Sequence, residues 1–201
     1  ILINRGTDSL GNQLIYDTEL NITWYDYSNS LRGWQYQVSW ADALSVNFNG
    51  TIYDDWRLPS TVDGPYVRGY DGTTTAGYNI TSSEMGHLFY AELGNIGAYD
   101  TSGNVDPPGW GLTNTGDFQH LISFYYWSGT EFSAESGGAW YFGFGSGGQS
   151  AASYERPLLD DGLCAIAVRD GDVAAVPEPG TMLLLGSGLA GLIVFRKRLK
   201  N

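Results

Sequence analysis

The sequence predicts an α+β domain, and three observations lead there. Two stretches with helical spacing and capping residues lie in the first half, and four strand-like runs fill the last third. Gly-rich turns join those late runs as hairpins, which suits an antiparallel sheet at the end of a single domain. No repeat of 20 to 50 residues is visible, which sets solenoids and propellers aside.

Taken in order, Leu14-Ile15-Tyr16-Asp17 and Leu20-Asn21-Ile22-Thr23-Trp24 are short β-type runs, and residues 29–33 form a polar loop. Ser39 with Asp42 three residues on predicts a helix to about Asn47, and Asn49-Gly50 predicts its end. Asp54-Asp55-Trp56-Arg57-Leu58-Pro59 reads as a short strand stopped by Pro59, which cannot donate to a ladder. A long Gly- and Thr-rich loop covers 60–79; loops of that length are usually functional or mobile. Thr81-Ser82-Ser83-Glu84 is a capping box opening a second helix, with Met85, Leu88, Phe89 and Leu93 on one face and Gly94 as its stop. An irregular region follows to about Gly116. Strands are then expected at 124–130, 139–144, 149–154 and 163–169, with 145–148 as a hairpin turn.

Residues 181–195 carry no charge, fewer than the roughly 20 that span a bilayer core. Eight strong membrane formers among them favour insertion by about 3 kcal/mol, and flanking cations supply length by snorkelling. Arg196, Lys197 and Arg198 then act as the membrane stop and hold that end on the cytoplasmic side. The expected organisation is a globular domain at 1–172, a linker at 173–180, a transmembrane helix at 181–195 and a basic cytoplasmic tail at 196–201.

Composition bounds the partners. The body has six basic residues, all arginine (5, 32, 57, 68, 156 and 169), against 21 Asp and Glu. Such a surface disfavours nucleic acid and anionic polysaccharide, and favours neutral glycans, cations or basic partners. The 28 Gly, 14 Tyr and 7 Trp suit a loop-rich, extracellular, β-containing domain. Cys164 is the sole cysteine, so no intramolecular disulfide forms, and its alternation with Ile166 and Val168 predicts a buried apolar role. No basic n-region with an apolar run precedes Ile1, so a signal peptide removed on export is expected.

Val176-Pro177-Glu178-Pro179, the apolar run and the Arg-rich end together resemble the tripartite PEP-CTERM sorting signal. That resemblance implies export, recognition by an exosortase-type enzyme at the Pro-Glu-Pro motif, and loss of the helix on processing. It also implies the cell surface or extracellular biofilm matrix of a Gram-negative bacterium, after transient anchoring in the inner membrane. Trp56-Arg57-Leu58-Pro59, Tyr126-Trp127-Ser128, Ala139-Trp140-Tyr141-Phe142 and the run from Cys164 to Arg169 resemble boxes of the Lcl C-terminal domain family. Glu84 to Tyr90 is similar to a variant of that family found with PEP-CTERM tails. This second resemblance implies a C-type-lectin-like fold and binding of glycan or another matrix component. The lysine-free body departs from the basic surface that sulfated glycans want.

Ligand candidates come from two residue types. Tyr66, Tyr70, Tyr99 and Trp110 sit in irregular segments where exposed rings can stack on sugars, whereas Trp56, Trp127 and Trp140 lie in strands and are expected in the core. Asp54/Asp55 and Asp160/Asp161 are the carboxylate pairs that could hold calcium, although no Asp-x-Asp-x-Asp-Gly loop is present. Asp170/Asp172 is a third such pair. Arg57 is expected to partner a buried carboxylate. His87 and His120 are the only histidines and show no metal-ligand spacing, so no catalytic residue is expected. A non-catalytic exported protein is the reading, with a hydrolase or oxidase, or a purely structural matrix protein, as the alternatives.

Overall fold

The computed structural model describes residues 1–154 and 162–173. One nine-stranded mixed sheet dominates it. In chain order the elements are β1 (Leu2–Thr7), β2 (Gln13–Asp17), β3 (Ile22–Arg32), α1 (Trp34–Asp42), β4 (Val46–Phe48), β5 (Thr51–Tyr53), β6 (Arg68–Gly69) and β7 (Ala76–Gly77). Then come α2 (Glu84–Gly86), running into a π-helix (His87–Glu92), and β8 (Tyr125–Glu131), β9 (Gly138–Gly143), β10 (Gly148–Ser153) and β11 (Leu163–Asp170). The order across the sheet is β1-β2-β3-β11-β8-β9-β10-β7-β6, with β4 and β5 as a separate hairpin. The β11–β8 and β6–β7 joins are parallel and the other pairs antiparallel.

The last strand of the chain is central, and its residues explain why. Leu163, Ala165 and Ala167 enter one hydrophobic cluster while Cys164, Ile166 and Val168 enter the other. A strand buried on both faces reads as a continuous apolar run. The π-helix covers one face with Leu88 and Phe89, joined by Met85, Leu93, Phe118 and Leu121. The other face is covered by Trp34 and Ala41 of α1, Val46 and Phe48 of β4, and Trp56 and Leu58. Trp56, Trp127 and Trp140 are all core, as their strand-like setting predicts.

The α+β, C-type-lectin-like expectation is overturned: the regular structure is mostly sheet, with one nine-residue α-helix, a three-residue α2 and a six-residue π-helix. The first helix starts at Trp34, five residues before Ser39, and Gly33 caps it without a side-chain bond. Tertiary anchors outweigh the capping pattern here. Trp34 Nε1 donates to Ser128 O at 2.8 Å, and buried Gln37 donates to Ser30 O and Leu163 O. Residues 43–47 therefore leave the helix, and Asn49-Gly50 turns the β4–β5 hairpin with φ of 52° and 84°. Asn-Gly is the pair that such a two-residue turn selects. The second helix begins at Ser83, whose hydroxyl accepts from Gly86 N, so the cap falls two residues after Thr81.

Among the described residues no helix is long and apolar enough to cross a membrane. The predicted transmembrane helix at 181–195, the Pro-Glu-Pro motif and the basic tail lie outside the described residues.

Candidate functional site

A surface cleft of about 200 Å³ forms where the far end of the sheet meets the long loop. Tyr125 of β8, Tyr141 of β9, and Gln149 and Ser150 of β10 supply its floor and one wall. Arg68 of β6, with Tyr66 just before and Tyr78 just after the β6–β7 pair, supplies the other. Sheet alternation puts Tyr125, Tyr141 and Ser150 on one face, with Tyr141 opposite Ser150 and Tyr125 opposite Gly143, while Gln149 faces the other way and its Nε2 donates to Thr75 O.

Each ring is held. Tyr66 stacks on buried Trp140 with ring planes 10° apart, and its hydroxyl lies 3.0 Å from Ser150 Oγ. Trp140 is pinned in turn, its Nε1 donating to Asp63 Oδ1 at 2.8 Å. Tyr125 meets Tyr141 edge-on at 5.7 Å. Burial raises the phenol pKa of both Tyr78 and Tyr141; Arg68 opposes the shift at Tyr78, and the Ser150 hydrogen bond opposes it at Tyr141. Tyr70 and Tyr99 do not line the cleft but back it, at 6.2 Å and 4.6 Å from Tyr78.

Asn79 sets that cluster. It takes a left-handed φ of 58°, and its Nδ2 donates to Tyr70 O at 2.7 Å and Tyr99 O at 3.1 Å. Its backbone N–H donates to Tyr90 Oη, which donates on to Gly147 O. The side of Tyr90 thus ties the π-helix to the cleft's turn.

The cleft's charge is unlike that of the chain. Among the described residues Arg68 is the one charged side chain lining it, and no carboxylate does. Arg5, Arg57 and Arg169 are paired with acids, whereas Arg68 lies over the Tyr70 and Tyr78 rings at 5.9 Å and 6.0 Å. Rings, hydroxyls and a guanidinium on an open surface can stack on and hydrogen-bond a flat polar ligand.

The structure thus gathers Tyr66, Tyr70 and Tyr99 around one cleft. Trp110 lines an adjoining groove of about 330 Å³ that shares Tyr125 and Ser146 with it. Tyr78, Tyr125 and Tyr141 escaped the sequence reading; the signal for Tyr141 was its alternation with Trp140 and Phe142. The acidic pairs are dispersed. Both Asp55 oxygens accept from Arg169 at 2.8 Å and 2.9 Å, which holds the Asp55 pKa down. Asp54 is exposed beside it, and Asp160 and Asp161 lie outside the described residues. Asp170 pairs with Arg57, and Asp172 with Arg5. Arg57 also grips Glu84 with two bonds of 2.8 Å and 2.7 Å, the carboxylate partnership its sequence setting predicts.

Neither histidine lines the cleft. His120 Nδ1 sits 2.9 Å from Asp26 O, and His87 lies with Asp17 and Glu92, the residues whose donor atoms could hold a metal.

Fold and cleft together define a mostly β protein with a tyrosine-lined surface site. Residues 175–198 match the PEP-CTERM protein-sorting motif. The chain therefore carries the signal of an exported protein that an exosortase recognises and processes at the cell envelope. No curated protein and no solved structure matches the chain.

Proposed function

We propose that this is a non-catalytic protein of the cell surface or extracellular matrix, and that its tyrosine cleft binds a glycan of that matrix. One observation carries the reading: tyrosines from β8, β9 and both sides of the β6–β7 pair converge on one open cleft that no carboxylate among the described residues lines. In a chain with 22 acidic residues, that local exclusion favours a ligand that needs stacking and hydroxyl contacts. The Lcl resemblance supports an adhesive role through its boxes, since Trp140 buttresses Tyr66 and Tyr141 faces the cleft. A Gram-negative biofilm setting and loss of the 181–195 segment on processing complete the proposal.

A glycan array probed with the full-length protein in detergent, with and without calcium, tests it. Binding is expected, and Tyr66→Ala or Tyr125→Ala should each weaken it roughly tenfold, about 1.4 kcal/mol. Both side chains are substantially exposed, so these changes spare the core. Absence of binding in either condition removes the lectin activity and leaves a structural matrix role.

A further inference from the structure

The π-helix brings together residues that an α-helix would separate. Residues five apart on an α-helix point roughly 140° away from each other. Here Leu93 N–H donates to Leu88 O, five residues back, and His87 Nε2 comes to 3.5 Å from Glu92 Oε1. π-Helical turns are rare and concentrate at functional sites.

Facing them is the β2–β3 turn. A carboxylate oxygen of Asp17, a ring nitrogen of His87 and a carboxylate oxygen of Glu92 all lie within 4.8 Å of one another. Glu19 adds a fourth group, its Oε2 at 3.6 Å from His87 Nε2. Asp17 is fully buried. Its Oδ1 accepts from the Glu19 and Leu20 backbone N–H groups, while Oδ2 has no hydrogen-bond partner. His87 Nε2 is likewise buried without one. A buried carboxylate oxygen left bare costs the protein free energy unless something cationic meets it.

Among the described residues no lysine or arginine is bonded to Asp17, Glu19 or Glu92. The Ile1 nitrogen lies 2.5 Å from Glu92 Oε1 and 3.4 Å from Glu19 Oε1. Three carboxylates gathered around one imidazole make an oxygen and nitrogen donor set of the kind that holds a divalent ion.

We propose that Asp17, His87 and Glu92, with Glu19 as the outer ligand, form a binding site for a zinc-type divalent cation. Ligands about 2.0–2.1 Å from tetrahedral zinc stand roughly 3.3–3.4 Å apart, close to the 3.5 and 3.6 Å separations at His87. Calcium fits less well, because it takes six to eight oxygens and this set includes an imidazole. The ion would clamp the π-helix to the β2–β3 turn, so its role is structural. It is independent of the glycan reading.

The full-length protein in detergent, stripped with chelator, is titrated with Zn²⁺ or Ca²⁺ by calorimetry, and bound metal is counted by mass spectrometry. One zinc per chain is expected, with a higher Tm when loaded. His87→Gln and Glu92→Gln should each lower zinc affinity at least tenfold and abolish the Tm increase. Glu19→Gln, at an exposed side chain, should weaken affinity while leaving the circular dichroism unchanged. Failure to retain zinc, unchanged affinity in both His87→Gln and Glu19→Gln, or a preference for calcium would each overturn the assignment.

Discussion

Tyr90 and Tyr126 show how single polar groups are fitted into this aromatic core. Tyr90 Oη accepts from Asn79 N and donates to Gly147 O; Tyr126 Oη lies 2.6 Å from Ser28 Oγ and accepts from Ile122 N at 3.1 Å. Burial pushes both phenols up to about 12, from an ordinary value of 10.0. A phenol ionising near 12 when folded and near 10 when unfolded contributes stability that is complete below pH 10 and lost as pH rises to 12. Each such group should cost about 2–3 kcal/mol across that window, if the unfolded value is ordinary. Urea unfolding at successive alkaline pH values should show the fall, and Tyr90→Phe should flatten its slope. An unchanged slope in that variant would mean the Tyr90 phenol ionises alike in both states. At this scale the sequence was partly readable. Asn21, Asn49 and Asn79, each in an Asn-x-Ser/Thr context, all take left-handed φ angles of 53°, 52° and 58°. Their amides suit that backbone, which accounts for asparagine there without any sugar. What Asn79 organises was not readable, because its partners are carbonyls of residues 9 and 20 positions away.

At the scale of elements, local pattern succeeded where burial follows a period and failed where tertiary contacts decide. The alternation in β11 and the hairpin of β9 and β10 were plain from residue types. β1 and the C-terminal half of β3 were missed, since Asn4, Arg5, Ser28 and Asn29 carry little strand signal and are ordered by pairing with β2 and β11. The π-helix was invisible for another reason: Met85, Leu88, Phe89 and Leu93 satisfy α-helical spacing equally well. Consequently the meeting of His87 with Glu92 had no sequence signature. The β6–β7 pair is the shortest element of the sheet, yet it carries one wall of the cleft, and glycine makes it feasible. Gly77 has a φ of 109°, and a Cβ there would stand 1.9 Å from Gly69 O. Gly77→Ala should therefore displace β6, lower stability by about 2–4 kcal/mol and weaken glycan binding together. Chemical denaturation with a binding assay checks this. Unaltered stability would show that β6 moves freely and does not form a fixed wall.

Over the whole molecule, the order of the sheet makes folding depend on the end of the domain. β3 and β8, far apart in sequence, are joined through β11, so both faces of the core close only when residues 163–170 are in place. Val173, 1 % exposed, is the last described residue of that core. Beyond it the chain carries the sorting motif at 175–198, and the proposed loss of the 181–195 segment would part that tail from the body. A domain released in that way would have to hold together without the tail. Two truncations test that logic. Ending the chain at Val173 should leave a soluble domain with unchanged near-ultraviolet circular dichroism from its buried Trp24, Trp127 and Trp140, and a Tm within a few degrees of the full chain. Ending it at Gly162 deletes β11, strips an apolar strand from both clusters, and should abolish cooperative unfolding. If the first truncation unfolds, the tail belongs to the core and release at the envelope would leave no stable domain. If the second folds cooperatively, β11 is not the strand that unites the sheet.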